Sequence, residues 1–277
     1  MSIEERIAAV NIRLTPTERR IAEVVLADPT LLAFGTVSDL SERVRTSRPS
    51  IVRFATKLGF TGYADLQRWM RQQVANQLAT PGQRIRSGSA IQSDVRGDIE
   101  QAVQATLVSL DEETVDRLAA PLIRAEHIWI LTGETSRAGA SALLSGLSMI
   151  RTGVHLIEQH NLARDLSVST SRDAAVVFDF ARYRRTTVHA ARALLELGVE
   201  VVAVTDSPLS PLASIASNWC ELNVPAVGPF DSSIPPVLAA ELIVLKTAAG
   251  LGANVPPRID RLERIWKQTE TFYESPG

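Results

Sequence analysis

The sequence predicts two domains of different class: an all-α domain at the N-terminus, then a larger α/β domain with a parallel sheet flanked by helices. Three observations carry this. The chain has 277 residues, about twice the length of a typical domain. Its first eighty residues show helical spacings with caps and stops at short intervals. From residue 127 onward, short apolar runs alternate with amphipathic stretches, the pattern of parallel strands wound with helices.

Residues 1–80 form the helical domain, 81–92 a linker and 93–277 the α/β domain. The linker reads Pro-Gly-Gln-Arg-Ile-Arg-Ser-Gly-Ser-Ala over 81–90, a composition that marks a connection.

Thr15-Pro16-Thr17-Glu18 opens the first well-marked helix. Thr15 suits the cap, Pro16 the first helical position, and Glu18 the place where a capping box needs its carboxylate. Ile21, Val24, Val25 and Leu26 supply its buried face, and Asp28-Pro29 ends it. Val37, Leu40 and Val44 then mark one side of a short helix over 36–44. After Arg45-Thr46, Ser47 caps a third helix whose apolar side is Ile51, Val52, Phe54, Ala55 and Leu58, stopped by Gly59. Two short helices joined by a few residues make a helix-turn-helix candidate.

Charge adds to that reading. The whole chain carries a formal −2, but residues 1–77 hold 11 basic against 8 acidic side chains, and 43–57 contain no acid at all. A helix entering the major groove needs donors on its exposed first turns. Arg48, Ser50 and Arg53 sit there, with Arg45 and Ser47 beside them and Lys57 placed for the phosphate backbone. The same pattern fits a helical hairpin within a larger fold, its arginines merely solvated, and periodicity alone leaves both open.

In the second part, helical patterns over 94–110 and 112–125 precede strands at 127–131, 154–157, 174–178 and 199–204, with a weaker one at 219–224. Helices at 137–150, 161–168 and 186–197 separate the first four strands. Ligands in such sheets bind beyond the carboxyl ends of the strands, where three loops fall. The first contains Gly133, Thr135 and Ser136; the second Asp179, Arg182, Arg184 and Arg185; the third Asp231 and Ser232, ahead of a helix from Ile234. Arginines at one strand end invite a phosphate or carboxylate, so the expected effector is anionic. Internal pairing of Asp179 with Arg182 is the alternative.

Several classes drop out. The longest apolar runs fall short of the ~20 residues of a spanning helix, and Glu241 interrupts 237–245. No basic-then-apolar leader opens the sequence, so a cytoplasmic protein without membrane contact is expected. A single cysteine, Cys220, forms no intramolecular disulfide and builds no thiolate metal centre. Neither metal nor cofactor is expected. His127, His155, His160 and His189 form no acid–base pair with a carboxylate at the ligand edge, so no catalytic residue is assigned and an enzyme is not expected.

The string Ile51-Val52-Arg53-Phe54-x-x-Lys57-Leu58-Gly59-Phe60, followed by Gly62-Tyr63, with Leu14 to Ala22 before it, resembles the RpiR family of bacterial transcription regulators. That family joins a helix-turn-helix domain to a sugar isomerase (SIS) domain. Arg45-Thr46 stand where the family commonly has Gly then Val. Val201 to Pro208 with Ser210 to Ala213 are similar to the SIS closing strand and loop. The phosphosugar loop S-x-S-G-x-T is replaced by Asp179-Phe180-Ala181-Arg182-Tyr183-Arg184, without its hydroxyls. The resemblance implies a regulator that binds operator DNA, answers to a small phosphosugar or other anion, and assembles as a homodimer or homotetramer through its SIS domains. A SIS-fold sugar-phosphate isomerase or deaminase is the rival reading.

Overall fold

The computed structural model describes residues 3–10, 14–27, 29–78, 80–87, 94–134, 136–208 and 210–273. The chain divides into two units, 1–80 and 81–277, each with its own core.

The first unit contains α1 (Ile3–Val10), α2 (Pro16–Ala27), α3 (Pro29–Phe34), α4 (Val37–Val44), α5 (Arg48–Lys57) and α6 (Tyr63–Leu78). The capping box at α2 forms: the Thr15 amide donates to Glu18 at 2.8 Å, and the Glu18 amide to Thr15 Oγ1 at 3.3 Å. Thr36 and Asp39 make the same reciprocal pair at α4. Arg45 ends α4 in the left-handed region, φ 55° and ψ 54°, the conformation that a glycine would hold without strain. Its N–H turns back to the Ser41 and Glu42 carbonyls.

Ile21, Val25, Leu40, Ile51, Phe54 and Leu66 close the core of this unit. Two side chains expected inside it are outside. Leu26 is 38% and Val52 42% exposed, because each lies one residue, about 100° of helical rotation, off the stripe that its neighbours bury.

The second unit holds α7 (Pro81–Ser87), α8 (Val95–Ser109), α9 (Glu112–Arg124), β1 (Ile128–Thr132), α10 (Arg137–Ile150), β2 (Val154–Leu156), α11 (Leu162–Leu166), β3 (Ala174–Phe178), α12 (Arg185–Glu196) and β4 (Glu200–Thr205). β5 (Asn218–Glu221), β6 (Ala226–Val227), β7 (Phe230–Asp231), α13 (Ile234–Leu251) and α14 (Val255–Gln268) follow. Five strands make one parallel sheet in the order β2-β1-β3-β4-β5, and β6 pairs antiparallel with β7.

Side chains alternate between two cores. Ile128, Ile130, Val176 and Phe178 face α9, α10 and α13, while Trp129, Leu131, Ala175 and Val177 face α12. Helix α14 and the β6–β7 pair were not among the expected elements, and the expected linker holds a helix over its first residues. By length and apolarity Ile234–Gln268 would suffice to cross a membrane. Its first part instead packs Pro236, Ala239, Ala240 and Ile243 into the core.

Register decides where ligand loops emerge. Thr132 lies opposite Phe178, and Phe178 opposite Val204, so β1, β3 and β4 end together. The strand order reverses between β1 and β3, which places the crevice of the sheet there.

Candidate functional sites

The first site is the exposed half of α5. Ser47 is its N-cap, yet its hydroxyl makes no capping bond to the backbone. It lies 2.9 Å from the Ser50 hydroxyl, and Ser50 Oγ accepts from Arg53 Nη2 at 3.1 Å. A polar relay therefore runs along one face and holds the Arg53 guanidinium beside Ser50. Arg48 and Arg53 line an open concavity with Pro49, Val52, Tyr63 and Arg68. The exposed Val52 thus lies between two arginines, a position the apolar reading of α5 had assigned to the interior.

Lys57 has a partner within its own unit. Its Nζ lies 2.7 Å from Glu18 Oε2 with both side chains largely covered, so it fastens α5 to the start of α2. Burial raises the Glu18 carboxyl, but the Lys57 and Thr15 hydrogen bonds outweigh it and hold the group below its usual range.

The second site is the β1–β3 crevice. The Gly133 amide donates to the Phe178 carbonyl at 2.9 Å. Ser136, fully buried, donates to the same carbonyl at 2.7 Å and lies 3.0 Å from Thr132 Oγ1. Asp179 is 2% exposed. Its Oδ1 accepts from the Phe180 amide at 3.1 Å and its Oδ2 from the Arg184 amide at 2.9 Å. The expected alternative partner, the Arg182 guanidinium, is not what it meets; Arg182 is exposed, with φ 73°, and the turn it makes brings the Arg184 amide back instead. Burial drives the Asp179 carboxyl up to about 7, with the Asp206 charge adding and the two amides opposing.

Asp206, at the end of β4, takes the Ala181 amide at 2.7 Å and the Tyr183 hydroxyl at 2.5 Å. Burial, then Asp206, raises the Tyr183 phenol. Arg184 pairs with Glu134. Arg182 and Arg185 remain exposed and show no partner among the described residues.

Asp231 and Ser232 stand at a neighbouring corner. Arg84 Nη1 reaches Asp231 Oδ1 at 2.7 Å and the Pro229 carbonyl at 3.3 Å. Ser232 Oγ accepts from the Ile234 amide at 3.3 Å. The first turn of α13 lies against the first turn of α10, where a Cβ on Gly139 would come within 2.6 Å of Pro236 Cβ. Thr135 lies outside the described residues.

A histidine–carboxylate pair forms away from the ligand edge. His127 Nδ1 lies 3.2 Å from Asp173 Oδ1, at the amino ends of β1 and β3, away from the crevice. Asp173 also accepts from Trp129 Nε1 and from the Thr170 and His127 amides, a framework role. Among the described residues no three potential ligands cluster for a metal. Sequence reasoning missed Arg84, Asp206 and Glu18 as partners. Only Asp206, an acid directly after a strand, carried a local signal.

Residues 1–77 match the helix-turn-helix domain of the rpiR family, and residues 121–246 the SIS domain. The transcriptional regulator HexR of Pseudomonas aeruginosa is 27% identical, over 88% of this chain and 86% of that one. HexR of Escherichia coli is 24% identical over 97% and 96%. Among solved structures, the sugar isomerase domain of an RpiR transcription factor from Sphaerobacter thermophilus is 27% identical with a TM-score of 0.54, covering 62% of this chain and 95% of that one. The Vibrio vulnificus NanR protein complexed with ManNAc-6P has a TM-score of 0.54 at 19% identity, over 99% and 100%.

Proposed function

The chain belongs to the RpiR family of helix-turn-helix transcription regulators with a SIS domain, and from that premise we propose how it reads DNA and what its second domain answers to. Helix α5 enters the major groove with Arg48, Ser50, Val52 and Arg53 toward the bases, and with Arg45 and Ser47 toward the backbone. The observation that carries this is the Ser47–Ser50–Arg53 relay, which orders a guanidinium suited to a guanine edge before DNA arrives. Val52 supplies an apolar contact of the kind a thymine methyl accepts.

A homodimer or homotetramer joined through the SIS domains presents two copies of α5 to a roughly palindromic operator. The effector is a small anionic or sugar-derived metabolite, bound at the crevice where Arg182 and Arg185 are open. Gly133, Ser136, Asp179, Arg184, Asp231 and Ser232 frame that site. Its differential affinity for two states changes operator binding through residues 81–92, in the cytoplasm and without turnover.

The test is binding of the full chain to its own upstream DNA and to a scrambled duplex of equal length, across a salt series. A preference that survives physiological salt supports the reading. Equal, steeply salt-sensitive binding, or none, overturns it.

One observation favours a second reading, a SIS-fold isomerase or deaminase. Glu134 is exposed at the crevice and Asp179 titrates near neutrality, as a general base does. Both Asp179 oxygens are already engaged, which argues against it. Turnover of a sugar phosphate abolished by Glu134→Gln would establish it.

A further inference from the structure

We propose that Asp179 is a specificity-determining residue: its carboxylate occupies the Phe180 and Arg184 backbone amides, so the sensed metabolite places no phosphate on them. The proposal rests on the metabolite-sensing reading above and narrows its ligand class.

The loop leads from β3 into α12, a setting where amides converge on an anion. Four donors of the loop are already matched to carboxylates of the chain itself. The Phe180 and Arg184 amides go to Asp179, and the Ala181 amide and Tyr183 hydroxyl to Asp206. Asp179 is 2% exposed, so the anion in place is shielded from solvent and from exchange with a dissolved one.

The facing loop is shaped to that carboxylate. A Cβ on Gly133 would lie 2.0 Å from Asp179 Oδ1 and 2.6 Å from its Cγ; only a glycine leaves the space. Displacing Asp179 would strand a carboxylate among apolar neighbours, since Phe178 and Phe180 beside it are buried, and an unpaired buried charge is costly. The Arg184 guanidinium is turned to Glu134 in an exposed pair. What stays open at the crevice are Arg182 and Arg185, exposed side chains that can hold an anionic group away from the Phe180 and Arg184 amides.

The probe is inorganic phosphate, added to the full chain at pH 8. In the parent, the Phe180 and Arg184 amide resonances are expected to stay in place as phosphate rises to tens of millimolar, with no saturable heat. Asp179→Ala, shown folded by its circular dichroism, frees both amides and should bind phosphate at least tenfold more tightly than the parent. Asp179→Asn, which keeps one of the two acceptors, should fall between the parent and Asp179→Ala. Saturable movement of the two parental amides would overturn the proposal, and so would a folded Asp179→Ala that gains no phosphate affinity. The parental resonances decide the matter even where the alanine variant does not fold. Failure here leaves metabolite sensing standing. Failure of sensing, seen as operator affinity indifferent to every metabolite, would leave the parental amides unmoved by phosphate.

Discussion

Arg84 and Asp231, 147 residues apart, form an ion pair of 2.7 Å in which the arginine is only 7% exposed. The pair fastens α7, the first element after the N-terminal unit in the chain, to β7, next to Ser232 at the candidate ligand corner.

Removing one partner of a buried pair leaves the other charge stranded. Arg84→Met should destabilise the second unit by about 3 kcal/mol, read from the denaturant midpoint at unchanged m-value. Arg84→Met combined with Asp231→Leu should recover most of the loss. Equal midpoints for parent and single variant would show the pair to be energetically idle.

Lys57 and Arg53 should separate by assay. Arg53→Ala is expected to cost roughly 1–3 kcal/mol of specific operator affinity. Lys57→Ala should lower the thermal midpoint of the N-terminal unit, followed by the Trp69 indole resonance, and leave the salt slope of DNA binding unchanged. A slope smaller by about 1 would instead return Lys57 to the phosphate backbone.

Arg45→Gly relieves a left-handed arginine, φ 55°. Stability of the first unit should rise by about 0.5–1 kcal/mol while DNA affinity falls, because a cation at the groove edge is lost. Unchanged affinity would take Arg45 out of the interface.

The contributions of Asp179 and Glu18 to stability should respond to pH in opposite senses. Asp179 keeps its proton to about 7 when folded, against an ordinary 3.8. Across that window the unfolded chain has released a proton that the folded chain retains, so stability is full below the ordinary value and falls as pH rises, by up to about 1.4 kcal/mol per unit. Glu18 is held below its ordinary value; its contribution is full above that value and is lost as pH falls through the folded one. Unfolding midpoints of each unit from pH 3 to 8 check both, with Asp179→Asn and Glu18→Gln each expected to flatten its own limb.

Gly133→Ala places a methyl into the Asp179 carboxylate and should cost about 1–3 kcal/mol. In an Asp179→Ala background the same substitution should cost far less, and a double-mutant cycle measures the difference.

How much of this was legible follows from where the physics is local. β3 was readable to the residue because Ala174 to Phe178 are buried on both faces, and a continuous apolar run records that. The capping box of Thr15 and Glu18 spans three residues and shows in the sequence for the same reason. By contrast, α7 lay hidden in a stretch rich in Gly, Pro and Ser, since what holds Arg84 there is 147 residues away. Helix α14 buries no residue fully, yet Val255, Ile259, Leu262 and Trp266 recur at spacings of three and four, a helical stripe that the reading of the sequence passed over. The role of Asp179 depends on the turn at Arg182, φ 73°, which places the Arg184 amide over its carboxylate. An arginine gives no hint of that backbone conformation, whereas a glycine would have.

The sheet ends in its two shortest strands, β2 with three residues and β5 with four. An edge that short exposes few unpaired amides and carbonyls, too few to template another strand. Copies of this chain therefore have little means of joining edge to edge into a continuous sheet, however concentrated they become.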